Sequence, residues 1–363
     1  MRYKQSDYLY WAKTQSRARY NLATSGVGAF PIRDLPVDFT RFEIHGANSY
    51  GFAPLENAIA RHAGVEPDCV VEAAGASMAN HLAMAAVLEP GDRVLMEQPV
   101  YGPILDAARY LEADIRRFPR RPENGFRIDL DELRRMLTSR TRLIVLTNLH
   151  NPSSVLTPEA DLRRIAEMAF RNGALVLVDE VYLDAVYDQT PTTSFRLGPH
   201  FIVTSSLTKV YGVSGLRCGW ILAQPELAWK MRRLNDLYGS LPAHPAELLS
   251  VAAFENLSLL RDRARRVLEA DRALLSGFLD RHPELQAVRT ASGTTCFLRL
   301  PGGNSTRFLS RLRAEHDTSA VPGRFFEMPD YLRIGMGVDN AMFAEGLRRV
   351  ELALSSSVVN ARA

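Results

Sequence analysis

The sequence predicts an α/β fold, a mainly parallel sheet covered by helices on both faces with a smaller α+β domain beside it, and three observations carry that expectation. The runs LIVL (143–146) and ALVLV (174–178) are apolar without alternation, as in strands buried on both faces of a parallel sheet. Between Cys69 and Ser206, strand-like and helix-like segments alternate with little interruption. The chain has 363 residues, more than the roughly 250–300 at which one hydrophobic core stops growing. Two domains are therefore expected: a large one over 40–245, and a small one made of 246–363 and completed by an N-terminal arm, 1–39.

In chain order, the first forty residues mix aromatic, basic and proline-containing stretches without a clear period and read as an arm leading into the fold. Within them SGVGAF, from Ser25 to Phe30, reads as a glycine-rich loop. SYGFAPLENAIARHAG is a turn followed by an amphipathic helix, with Leu55 and Ile59 on its stripe, Gly64 as its stop and Tyr50 in the turn. CVVEAAGASMANHLAMAAVLEPGD is a strand, a small-residue turn at Gly75-Ala76-Ser77 and a helix. First-turn N–H groups lack helical partners, so such a turn either cradles an anion or serves close packing.

RVLMEQP, LDAARYLEA, FRIDLDELRRML, RLIVLTN, EADLRRIAEMAFRNG, ALVLVDE and FIVTSS then read as β, α, α, β, α, β and β. Thr157 is the expected N-cap of the helix at Glu159, with Pro158 at its first position. The densest basic cluster, Arg116, Arg117, Arg120 and Arg121, is short and proline-broken and reads as a solvated edge. Helical patterns dominate from Pro225 to about Arg281, ending in SLLRDRARRVLEADRALLSGFLDRH, a spine whose charges read as a solvated face. The small domain follows, with strand candidates TTCFLRL, TSAVPG and YLRIGMG and two helices.

Composition excludes several partners. The 44 basic and 41 acidic residues leave a net charge of +3, too little to expect nucleic acid or an anionic membrane. Cys69, Cys218 and Cys296 are odd in number and far apart, the pattern of a reduced, cytoplasmic chain. The eight histidines show no HxH or HxxxH spacing, so no metal site is expected. No apolar run approaches the ~20 residues that span a bilayer, and MRYKQSDYLYWAK lacks a leader's apolar region; a soluble, unexported protein is expected.

Each predicted strand ends in small or polar residues: Gly75 to Ser77, Thr147 and Asn148, Asp179 and Glu180, Ser205 and Ser206. Ligands of open α/β sheets bind beyond the carboxyl ends of the strands, where these residues would converge. Lys209 follows FIVTSS and precedes a glycine-rich turn, and Arg217 opens the next apolar run, LRCGWILA. An amine beside an anion-holding guanidinium suits a phosphorylated aldehyde.

Ser206-x-x-Lys209 followed by Arg217 resembles the Schiff-base lysine segment of fold-type-I pyridoxal-phosphate enzymes, the aspartate aminotransferase family of class I and II. The resemblance runs from about Ser25 to Asp339. It implies Gly75, Ala76 and Ser77 as the phosphate cup, Tyr101 in QPVYGP as the ring over the cofactor and Asn151 in HNPSS as a contact to its phenolic oxygen. Asp179 and Tyr182 in VDEVY match the family's carboxylate and tyrosine donor, and Ser206 and Arg217 would hold the phosphate beside Lys209. Tyr50 would reach the phosphate of a neighbouring subunit, implying a homodimer with shared sites. Arg333 in YLRIGMG matches the arginine that receives a substrate's α-carboxylate, with Ser25 and Gly26 near it. A guanidinium grips a carboxylate bidentately, as an ammonium cannot. Asp179, Tyr182 and Lys209 are thus the expected catalytic residues, with Lys209 as general acid and base at the substrate α-carbon.

Two departures stand out. The family commonly has NPTG where this chain has Asn151-Pro152-Ser153-Ser154, which predicts a changed backbone turn. SGVGAF replaces a more usual G-x-P-D-F text, which leaves the substrate side open. The implied activity is transfer of an amino group from an α-amino acid to a 2-oxo acid. A lyase or cyclase of the same fold is the alternative, because RPENGF (Arg121 to Phe126) and VPGRFF (Val321 to Phe326) resemble segments of capreomycidine synthase, a pyridoxal-phosphate cyclase. A regulator built on the same body would need a DNA-binding helical domain ahead of it, and no basic recognition helix precedes the fold.

Overall fold

The computed structural model describes residues 3–189 and 191–360, and its centre is a seven-stranded sheet. In chain order, α1 (Asp7–Thr14) and β1 (Tyr20–Asn21) precede α2 (Ala53–Ala63), β2 (Val70–Ala74), α3 (Ala76–Val87), β3 (Arg93–Gln98), α4 (Gly102–Tyr110), β4 (Asp114–Pro119) and α5 (Leu130–Met136). There follow β5 (Thr141–Thr147), α6 (Glu159–Arg171), β6 (Leu175–Asp179), β7 (Phe201–Ser206), β8 (Cys218–Leu222), α7 (Pro225–Asn235), α8 (His244–Glu255) and α9 (Leu257–Arg281). The chain continues through β9 (Gln286–Ala287), β10 (Thr295–Arg299), α10 (Ser305–His316), β11 (Thr318–Ser319), β12 (Val321–Pro322), β13 (Tyr331–Gly335) and α11 (Asn340–Asn360).

The large sheet has the order β2-β8-β7-β6-β5-β3-β4 and is parallel except at β8, which runs antiparallel to both its neighbours. Successive side chains of a strand point to opposite faces, so an apolar run feeds two cores at once. Ile144 and Leu146 pack with α2, α6 and α9 on one face, and Leu143 and Val145 with α3, α4 and α7 on the other. The expected α/β architecture is what forms, and it puts the ends of β2, β5, β6 and β7 along one edge. Among the described residues no helix is long and apolar enough to cross a membrane.

Several local expectations are corrected. The arginine cluster is only in part a solvated edge: DIRRFP forms the edge strand β4 and Arg116 and Arg121 are exposed, but Arg117 is largely covered and Arg120 is fully buried, 2.8 Å from Glu97. Arg120 turns inward because the backbone of Phe126 and the carboxylate of Glu97 both accept from its guanidinium. The helix read from Phe126 begins only at Leu130, where the Asp129 side chain accepts from Glu132 N–H; Ile128 instead bridges to Arg120. At α6 the N-cap is Pro158, still extended at ψ 147°, so Thr157 lies outside the helix.

The spine α9 does not simply solvate its charges. Arg263 donates to Gly28 and Ala29 carbonyls, Arg272 to that of Gly293, and buried Asp271 accepts from Gly337 N–H and Asn340. The small sheet has the order β12-β13-β10-β9, and β1 pairs in parallel with β11, which ties the N-terminal segment to it. The arm also holds a helix that its lack of period concealed: α1 buries Tyr8 and Trp11 in an aromatic cluster with Phe126, Phe297, Phe326 and Tyr331.

Candidate active site

A cavity opens where the carboxyl ends of the strands meet, lined by residues of the α3 start, the ends of β5 and β6, and the loop after β7. Lys209 lies in it, and its Nζ donates to Ser25 Oγ at 3.1 Å. Burial lowers this amine to about 8, and the positive charges of Arg333 and Arg217 push the same way, against the pull of Asp179. Asp179 closes β6. Its carboxylate accepts from Asn80 Nδ2 at 2.7 Å and from Val181 N–H at 3.0 Å. Burial raises Asp179 to about 6 while those hydrogen bonds restrain the rise, so it is largely ionised at neutral pH. Asn80 is itself oriented by the Thr204 hydroxyl, at 2.7 Å.

The turn from β2 into α3 supplies an anion cradle. Gly75 is its N-cap at φ 81°, in the left-handed region that favours glycine, and a Cβ there would lie 2.2 Å from Arg217 Nη2. Arg217 donates to the Ala74 carbonyl at 3.1 Å, which sets its guanidinium beside the first-turn N–H groups of Ala76 and Ser77. Ala76, Ser77 and Arg217 all line the cavity; Ser206, buried at the end of β7, shares a hydrogen bond of 2.7 Å with Thr208, another lining residue.

Arg333, from β13 and fully buried, meets the cavity through Asn151, one of its lining residues. Its Nη1 donates to Asn151 Oδ1 at 2.9 Å and its Nη2 to Tyr8 Oη at 3.0 Å, while Nε finds no acceptor. Asn151 is fixed in turn, since its N–H donates to Thr147 Oγ1, and the Thr147 hydroxyl donates to Glu97 of the buried Arg120 pair. Its Oδ1 is thus occupied, and Nδ2 is the end left to donate to a ligand. Tyr182 and Tyr101 also line the cavity; burial pushes Tyr182 up to about 12 and Tyr101 well above its ordinary range, so both remain phenols.

Ser25 and Gly26 meet Lys209: Ser25 takes the amine's hydrogen bond, and a Cβ on Gly26 would lie 2.8 Å from the Lys209 carbonyl oxygen. Tyr50 lies outside the cavity of its own chain, exposed, donating to Asp236 at 2.8 Å. In the turn after Asn151, Ser154 stands where the family commonly has glycine. Ser154 takes φ 60°, the conformation a glycine would supply, and its hydroxyl bonds the Thr295 carbonyl at 2.8 Å and accepts from Thr295 N–H at 3.3 Å. These contacts with β10 hold a conformation that an L residue seldom adopts.

Sequence reasoning missed Asn80, Tyr8 and the Glu97–Arg120 pair. Asn80 left a trace, as a polar residue five positions beyond Gly75 on an alanine-rich helix. Tyr8 left none.

The residues fit a phosphorylated pyridine aldehyde. The cradle that a Cβ would fill, the cationic wall, the lowered amine and the orphaned Nε of Arg333 are the places for its phosphate, its aldehyde carbon and a carboxylate partner. The family model described as aminotransferase class I and II matches residues 44–350. Capreomycidine synthase from Streptomyces vinaceus is 30% identical, covering 94% of this chain and 91% of that protein. Arginine–pyruvate transaminase AruH from Pseudomonas aeruginosa is 28% identical over 79% of this chain and 75% of its own. A solved PLP-dependent aminotransferase from Streptococcus suis, 23% identical, superposes with a TM-score of 0.89 over 98% of this chain and 99% of its own, and shows the shared fold.

Proposed function

The chain belongs to the class I and II aminotransferase family, with pyridoxal phosphate as its cofactor, and from that premise we propose that it moves an amino group from an α-amino acid to a 2-oxo acid. The observation that carries this reading is Lys209: the one lysine lining the cavity, with its amine lowered to about 8 and aimed at Ser25 between Asp179 and Arg333.

When bound, the cofactor supplies an electron-withdrawing ring that stabilises negative charge at the substrate α-carbon. Lys209 would hold its aldehyde and then move the proton at the substrate α-carbon. Asp179, fixed by Asn80 and Val181, favours a protonated ring nitrogen through its opposite charge. Asn151 and Tyr182 would donate to the ring oxygen, Tyr101 would cover the ring, and the Gly75–Ser77 turn with Ser206 and Arg217 would hold the phosphate. Arg333 takes the α-carboxylate.

Asp179 is the only carboxylate among the lining residues and is already engaged, so the cavity has no second carboxylic acid to protonate a leaving group. That favours transfer over elimination. A cyclase is the second reading, supported by the near-full-length likeness to capreomycidine synthase. The two segments that resemble that enzyme also converge: Phe126 packs on Phe297 at 6.0 Å and Phe297 on Phe326 at 5.5 Å, and Phe326 lies under Arg333.

Incubating the loaded enzyme with amino-acid donors alone separates the two. Transfer converts the cofactor to pyridoxamine phosphate, and adding a 2-oxo acid restores the aldehyde form. A persisting aldehyde spectrum with release of ammonia or a cyclised product overturns transfer in favour of the cyclase. Substrates are small molecules in either reading, with neither nucleic acid nor membrane as partner, and a homodimer with shared sites is part of the proposal. The three cysteines are buried and free, which suits a reducing cytoplasm.

A further inference from the structure

We infer that Tyr8, carried by α1 of the N-terminal arm, is a second ligand of the substrate's α-carboxylate beside Arg333, an assignment that rests on the pyridoxal-phosphate reading above. Arg333 Nη2 donates to Tyr8 Oη at 3.0 Å. In that contact the phenol accepts. Its own O–H hydrogen points elsewhere, and among the described residues no acceptor takes it. A buried tyrosine hydroxyl ordinarily finds partners for its donor as well. The side chain is only 7% exposed, so water does not readily supply one. Arg333 Nε is likewise buried and without an acceptor. Two unused donors on adjoining groups, one of them cationic, need an acceptor with several lone pairs, and a carboxylate offers about four.

Packing alone does not explain the hydroxyl. The Tyr8 ring is held edge-on by Tyr101 at 5.2 Å and Phe325 at 5.5 Å, contacts that a phenylalanine would make equally. The same packing fixes the phenol oxygen, so little side-chain freedom is lost when a ligand arrives. Tyr8 thus reads the carboxylate from the N-terminal arm while Asn151 steadies the guanidinium from the large sheet.

The test compares two reagents that form an oxime with the bound cofactor, aminooxyacetate, which carries a carboxylate, and O-methylhydroxylamine, which lacks one. Loss of the visible band reports each rate without knowledge of the natural substrate. Wild-type holoenzyme prefers aminooxyacetate. Tyr8→Phe is expected to lower that preference about tenfold, the scale of one hydrogen bond to a charged group, with the O-methylhydroxylamine rate unchanged. Arg333→Ala, as a reference, should abolish it. An unchanged preference in Tyr8→Phe overturns the assignment. An equal loss with both reagents also overturns it, because Tyr8 would then act through packing. A spectrum silent to both reagents in the wild type overturns the cofactor reading, and the inference with it.

Discussion

Lys209 is reactive because of what surrounds it. Burial first, then Arg333 and Arg217, lower its amine to about 8, and the opposing pull of Asp179 is the smallest of these effects. Only the neutral amine attacks an aldehyde, so the competent fraction grows as pH rises through that value. The cofactor-free protein should capture pyridoxal phosphate, fixed by borohydride and mapped to Lys209, at a rate that climbs with a midpoint near 8. Lys209→Ala should give no adduct. A midpoint above about 10, where an ordinary lysine titrates, would show that the amine does not feel this field. Lys209, Asp179 and Arg217 were legible because reactive residue types at strand ends are conspicuous. Tyr8 was not, since its partner Arg333 lies 325 positions away and no local pattern links them.

At the level of elements, the turn between β2 and α3 makes the anion cradle by omission of a side chain. Gly75 at φ 81° leaves room for Arg217, whose Nη2 a Cβ would approach to 2.2 Å. Gly75→Ala should therefore push the guanidinium away and weaken cofactor binding about tenfold or more, as expected for loss of a charge-assisted contact to phosphate. Gly91→Ala is the comparison: its φ is also positive, 87°, yet nothing lies within 4 Å, so it places a Cβ at a positive-φ glycine without a clash, and cofactor affinity, read by absorbance titration, should hold. Equal effects would assign the loss to strain alone. The covered strands of the sheet were readable from unbroken apolar runs, and α2 and α6 from their periodicity. The strand β4 was not, because DIRRFP carries charges that only the folded state pairs, Arg116 with Asp114 and Arg117 with Glu327. Ser154 shows another limit: hydrogen bonds to a strand more than a hundred residues on hold a serine at a positive φ, and no local pattern announces them.

For the molecule as a whole, one chain leaves its own site short of a ligand that the family resemblance assigns. Tyr50 stands outside the cavity, edge-on to Trp229 at 5.1 Å, and Trp229 is exposed, as are Leu237 and Tyr238, which follow its hydrogen-bond partner Asp236 in the chain. Clustered exposed aromatic and aliphatic side chains mark an interaction surface. A two-fold dimer presents the same patch from both chains, so each Tyr50 would serve the partner's phosphate while its own site is completed in return. Mixing two separately inactive variants tests this directly. Lys209→Ala removes the amine from one chain and Tyr50→Ala removes the phenol from the other. In a hybrid, one site then has both defects and the other has neither. If chains exchange at random in an equal mixture, half of the dimers are hybrids with one intact site of two, and activity should return to about a quarter of wild type. With hybrids demonstrated by differently tagged chains, absence of any recovery would mean that each chain builds its phosphate site alone, and that the exposed face around Tyr50 serves another purpose.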